Sequence, residues 1–159
     1  MVVSGRGLYG ERRDLDRAAD SLAALRAPGV DAWVATSSAA GEPYLVPLTP
    51  AWLPGDRVLL ASARRTRTMR NLEATGAARL AYGATRDVVL VDAVLERVVD
   101  VADDADLGEL YAAQADWDPR GIQGQAFAVL RAQRILAWRD EAEIAGRVLM
   151  RDGVWVALS

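Results

Sequence analysis

The segment from Arg86 to Val101 constrains the fold most. Val89, Val91, Ala93, Leu95, Val99 and Val101 fall on one face of an extended chain, and Asp92, Glu96 and Asp100 punctuate the other. A period of two belongs to a β-strand. The stretch is far longer than the usual strand of about 5–6 residues, so it predicts a strand that bends, as barrel strands do.

Shorter strands are read around it. Trp33-Val34-Ala35-Thr36, the turn Gly41-Glu42-Pro43, and Tyr44 to Thr49 form one pair. Leu53-Pro54-Gly55-Asp56 then turns into Arg57 to Ser62, which predicts a three-stranded antiparallel meander. Arg79 to Gly83 and Ala126 to Trp138 are further strands, and Asp152-Gly153 is a hairpin signal within Met150 to Trp155. Helices are expected over Asp14 to Arg26, with Asp14 as N-cap and Leu15, Ala18, Ala19, Leu22 and Ala23 on one face. Two more are expected over Arg67 to Thr75, closed by Gly76, and from Asp103-Asp104 to about Ala115. The expectation is a mainly β fold: a small antiparallel barrel of six or seven strands with two or three peripheral helices. The 159 residues suit a single domain, with residues 1–30 as an N-terminal helical extension.

Composition excludes much chemistry. The chain has no His and no Cys, and all 19 basic residues are Arg. There is therefore no thiolate nucleophile, no Ser–His–Asp triad, no common zinc site and no Schiff-base lysine. A net charge of −3 argues against nucleic acid as a partner. Met1 to Arg6 lacks the apolar stretch of a signal peptide. The charge-free run from Pro43 to Gly55 is interrupted by prolines and is well short of the ~20 residues of a membrane span. A soluble, cytoplasmic protein without membrane contact is expected, and no metal.

Ser62 to Asn71 reads S-A-R-R-T-R-T-M-R-N, with Arg64, Arg65, Arg67 and Arg70 at the head of an expected helix. A helix start already carries partial positive charge, so cations there are unfavourable unless an anion is present. Ser62, Thr66 and Thr68 add hydroxyl donors. One reading is a phosphate site; the other is a solvated basic turn whose arginines pair with acids elsewhere. Pro47 inside a strand marks a barrel edge or a backbone facing a ligand. Asp103, Asp104 and Asp106 are read as a helix start rather than a metal cluster, and the five tryptophans as core or dimer packing.

The ordered series of G-E-P turn, Y-L-V-P-L strand, P-G-D turn, R-V-L-L-A-S strand, R-x-T-x-x-R-N-L helix and A-R-L-A strand resembles the pyridoxamine 5′-phosphate oxidase-like FMN-binding split barrels. It is similar in particular to their actinobacterial FMN- or deazaflavin-dependent branch. The resemblance covers about Ala32 to Trp155. It implies a homodimer with a flavin at the subunit interface. The cofactor phosphate would lie on Ser62, Arg64, Thr66, Thr68, Arg70 and Asn71, and the ring along Val46, Pro47, Leu48 and Thr49. Trp138, beside Arg139, would reach in from the partner subunit. The missing His argues against pyridoxamine-phosphate oxidation itself.

The function expected is that of an oxidoreductase passing hydride through bound FMN to or from a small molecule. Tyr44 or Tyr82 is a candidate hydroxyl near the substrate. Deazaflavin coenzyme F-420 is the alternative cofactor, and a non-catalytic flavin carrier the alternative role.

Overall fold

The computed structural model describes residues 10–156. Met1 to Arg6, discussed above, fall outside them. Among the described residues the order is α1 (Asp14–Arg26), β1 (Ala32–Ser37), β2 (Pro43–Leu48), β3 (Ala51–Leu53), β4 (Arg57–Ala63), α2 (Arg67–Thr75), β5 (Ala77–Ala84) and β6 (Asp87–Asp100). Then come α3 (Ala105–Ala115), β7 (Gln125–Trp138), β8 (Val148–Arg151) and β9 (Val154–Trp155). The nine strands are two or three more than expected, because β3 and β9 are too short to carry a period of their own.

Pairing is antiparallel throughout, in the order β2-β1-β5-β6-β7-β4-β3, with β8 on β7 and β9 on β8. The ends of this path, β2 and β3, are separated in sequence by Thr49 and Pro50 alone. Tying the two edges so closely curls the sheet into a barrel with one unpaired seam. Pro43 and Pro47 sit on β2, where an edge strand tolerates the missing N–H.

The expected meander is corrected here. β1 and β2 do form a hairpin, with Ala35 opposite Leu45 and Trp33 opposite Pro47. β4, however, does not pair with β2. It pairs with β3 and β7 across the barrel. Pro50 lies where the chain leaves one edge for the other, and no backbone ladder crosses from 46–49 to 60–63.

β6 bends as expected, through irregularities at Asp92/Ala93 and Leu95/Arg97. The second one inserts Glu96 and shifts the parity of the strand. Val89, Val91, Ala93 and Leu95 face one core, but beyond the bulge Val98 takes that side. Val99 and Val101 pack in a second core with Tyr111 and Phe127, so the predicted single face is split in two. β4 and β7 are buried on both sides. Val58, Leu60, Ala128 and Leu130 fill the barrel, while Leu59, Ala61, Phe127 and Val129 face α3.

The helices begin and end where the sequence placed them, with one change of phase. Thr66 caps α2 by accepting from the Met69 N–H, and Gly76 closes it at φ 71°. Asp104 caps α3 through the Leu107 N–H at 3.0 Å. In α1 the cap position is Arg13 rather than Asp14, and no side chain caps it. The buried face is Arg17, Ala18, Ser21 and Leu25, while Leu15 is 63% exposed. Arg17 occupies an inward position because its guanidinium donates to Gly146 O at 2.5 Å and Asp14 at 2.8 Å. An apolar count could not anticipate that.

Candidate functional site

The seam opens into a cleft of about 500 Å³. Pro47, Leu48 and Thr49 leave β2 on one side; Ala61, Ser62 and Ala63 run along β4 on the other. Thr66, at the head of α2, joins them, and Asp31, Tyr111, Trp117 and Gln125 complete the lining. The volume falls within the ~300–1,000 Å³ range of small-molecule sites.

Two hydrogen-bonded groups give the cleft its polarity. Ser62 Oγ donates to Thr66 Oγ1 at 3.2 Å, and Thr66 Oγ1 accepts from Met69 N–H at 3.4 Å, next to the free amides of the first helical turn. The second group is Thr49 Oγ1, which donates to Asp31 at 2.5 Å, and Tyr111 Oη, which donates to Thr49 O at 2.7 Å. Burial pushes the Tyr111 phenol up to about 12, with the charge of Asp31 adding to the rise, so the hydroxyl stays protonated and serves as a donor. Trp117 stands edge-on to the Tyr111 ring at 6.0 Å and is 42% exposed. Gln125 Oε1 is buried without a hydrogen-bond partner.

The arrangement unites Pro47, Leu48, Thr49, Ser62 and Thr66. Val46 lies one residue back, opposite Val34. The arginines divide. Arg64 pairs with Asp100 at 2.6 Å and Glu73 at 3.2 Å, and Arg67 pairs with Glu42 at 2.7 Å and covers the Tyr44 ring. These two follow the reading of a basic turn neutralised by distant acids. Arg65 and Arg70 are exposed and have no acid partner among the described residues. Thr68 and Asn71 are buried, and Asn71 Nδ2 donates to Thr36 Oγ1.

Tyr44 and Tyr82 do not line the cleft. Tyr82 is buried in the barrel core, its hydroxyl is unpartnered, and burial drives its phenol upward. The tyrosine of the site is Tyr111, which the sequence offered only as a helix residue. Trp138 pairs with Val88 at the far end of β7, whose near end pairs Gln125 with Ala63. Within one chain the two ends lie roughly 40 Å apart along the strand. Asp31, Trp117 and Gln125 also escaped the sequence reading. Trp117, an aromatic in a Pro/Gly loop, is the one with a visible signal.

Among the described residues no acidic cluster could hold a metal ion, and Asp104 is used as a cap and as a partner of Arg97. No helix among them is long and apolar enough to cross a membrane.

Residues 23–139 match the family model described as pyridoxamine 5′-phosphate oxidase. No curated protein sequence matches the chain. Among solved structures, an F-420 reductase superposes with a TM-score of 0.59 at 17% identity, over 71% of this chain and 94% of that one. An FMN-binding protein from Syntrophomonas wolfei gives 0.61 at 14% identity, over 78% of this chain and 87% of its own. A heme binding protein from Mycobacterium smegmatis gives 0.60 at 20% identity, covering 91% of this chain and 60% of that one. At these identities the likeness is one of fold: a split barrel.

Proposed function

The chain belongs to the pyridoxamine 5′-phosphate oxidase family, and on that premise we propose that its seam cleft holds FMN and that the protein is a flavin-dependent oxidoreductase. The observation that carries this reading is the cleft itself: a hydroxyl pair at a helix start lies across an unpaired seam from a Pro-bearing strand end. The residues fit such a group. Ser62 and Thr66 would hold the phosphate with the first amides of α2, and Arg70 would supply charge. Pro47, Leu48 and Trp117 would wall the ring.

A bound flavin supplies hydride transfer, which explains how a site without His, Cys or Lys has a chemistry. The chain's own residues bind and orient. Tyr111, kept protonated, fixes Thr49 and the end of β2, while Asp31 marks the end of the cleft unsuited to a phosphate.

The Syntrophomonas and F-420 neighbours support a flavin-type ligand. A heme fits this chain less well. It has no His and no Cys for an axial bond, and the site's one tyrosine is held protonated.

The outer face of β1 and β2 carries Trp33, 53% exposed, and Leu45, 56% exposed, next to Pro47 of the cleft. Exposed apolar area continuous with the cleft supports a homodimer, with Trp138 arriving from the partner subunit.

The deciding experiment is titration of the purified protein with FMN, coenzyme F-420 and hemin, followed by turnover with reduced nicotinamide. Tight FMN binding with turnover is expected. Binding of FMN without turnover under any reductant would leave a carrier, and exclusive binding of hemin would overturn the flavin reading.

A further inference from the structure

Behind the seam lies a second cleft of about 530 Å³, between Ala63–Arg65 and the loop 122–125. It shares Ala63 and Gln125 with the first. We propose that this second cleft binds a small amphipathic anion, an apolar carboxylate or sulfonate that also carries an N–H or O–H donor.

Three features define that chemistry. The first is charge. Arg64 and Arg65 line the cleft against a single acid, Asp100, and Asp100 is already bonded to Arg64. Arg65 has no acid or hydrogen-bond partner among the described residues, so its fork of donors is available to a planar or tetrahedral anion. The second is apolar surface. Ala63, Ala102 and Ile122 form the walls, and Ile122 is 47% exposed at the mouth. The third is the Gln125 amide, whose buried Oε1 lacks a donor. A ligand N–H or O–H reaching it removes the penalty of an unpaired acceptor.

The loop is tied by its backbone to the residue that follows β4. Arg64 N–H donates to Gly124 O at 2.9 Å, while Gly121 and Gly124 sit at φ 83° and 81° with no neighbour where a Cβ would be. Because Ala63 and Gln125 border both clefts, the anion would sit beside the phosphate end of a flavin held in the first. That neighbourhood rests on the flavin reading; the binding itself does not.

Anilinonaphthalene sulfonate, an amphipathic anion with one N–H, is a suitable probe. Its fluorescence is titrated into the full chain with and without saturating FMN, whose own binding is measured in the same samples. One site per chain that persists with FMN bound is expected. Arg65→Ala should weaken the probe roughly tenfold or more, with its circular dichroism unchanged and FMN affinity kept. Gln125→Leu should weaken this probe but not naphthalene sulfonate, which lacks the donor. One-for-one displacement by FMN, or an affinity indifferent to Arg65→Ala, would overturn the proposal. If FMN fails to bind while the Arg65-dependent site remains, the flavin reading falls and the second cleft stands.

Discussion

The side-chain amide of Asn71 donates to the hydroxyl of Thr36 across 3.0 Å, joining α2 to β1 inside the protein. Both residues are buried, at 4% and 6% exposure. Asn71 ends the basic segment, yet its amide already has a partner within the fold. The segment is thus divided between residues that hold α2 in place and residues that face solvent.

Asn71→Ala leaves the Thr36 hydroxyl buried and unpaired, so it should destabilise the protein by about 1–3 kcal/mol. FMN affinity, measured on the folded fraction, should stay within a few-fold of wild type. Denaturant melts and flavin titrations of the same variant separate the two effects. A large loss of affinity at unchanged stability would place Asn71 on the cofactor.

Arg70 is exposed and has no acid partner among the described residues. Arg70→Ala should weaken FMN by about one to two orders of magnitude, the worth of a charge-assisted bond. Riboflavin, which lacks the phosphate, should lose far less. Apo stability should hold or rise slightly, because a cation near a helix start is unfavourable without its anion. Equal losses for the two flavins would remove the phosphate from this segment.

Trp117→Ala should act on both flavins alike. An aromatic contact is worth about 0.5–1.5 kcal/mol beyond the area it covers, or roughly two- to tenfold in affinity. The Tyr111 ring also loses its edge contact, so a modest fall in melting temperature is expected. An effect confined to FMN would contradict a ring-wall role.

Glu143 should contribute to stability in acid. Burial pushes its carboxyl up, but hydrogen bonds from the Arg12 side chain and from the Arg139 and Arg12 amides outweigh that and bring it to about 2, from 4.5. A depressed folded pKa gives stability that is present above pH 4.5 and lost as pH falls toward about 2. Melts across that window should show the loss. Glu143→Gln leaves Arg12 with Asp20 and Asp87 as its remaining acids, so the loss near neutral pH should fall below the about 3–5 kcal/mol of a buried pair broken with no other partner. The variant should also lose much of the dependence on acid pH, and a full wild-type slope in the variant would mean another group is responsible.

The homodimer is tested at Trp33 and Leu45. Changing both to Asp places charges on the outer sheet face, where neither side chain contributes to the core. Sedimentation should show dimer for wild type and monomer for the variant at micromolar concentration, with FMN bound more weakly by the monomer. A dimer that survives both changes would locate the interface elsewhere.

The sequence by itself determined the local structure. The period of two from Val89 to Leu95, the Gly76 stop and the Asp152-Gly153 turn are set by residues within a few positions of one another, and each appears where it was read. The assembly of the site was not local. The side-chain pattern of β2 and β4 is the same whether they pair as a meander or stand apart, because strand pairing uses backbone groups that every residue carries. Only the tertiary structure separated them, and that separation is the cleft. It also brought in Tyr111, 62 residues past Thr49, together with Gln125, and turned Arg64 and Arg67 toward acids distant in sequence. Long-range packing and charge pairing decided which members of a legible basic segment remain free to meet a ligand.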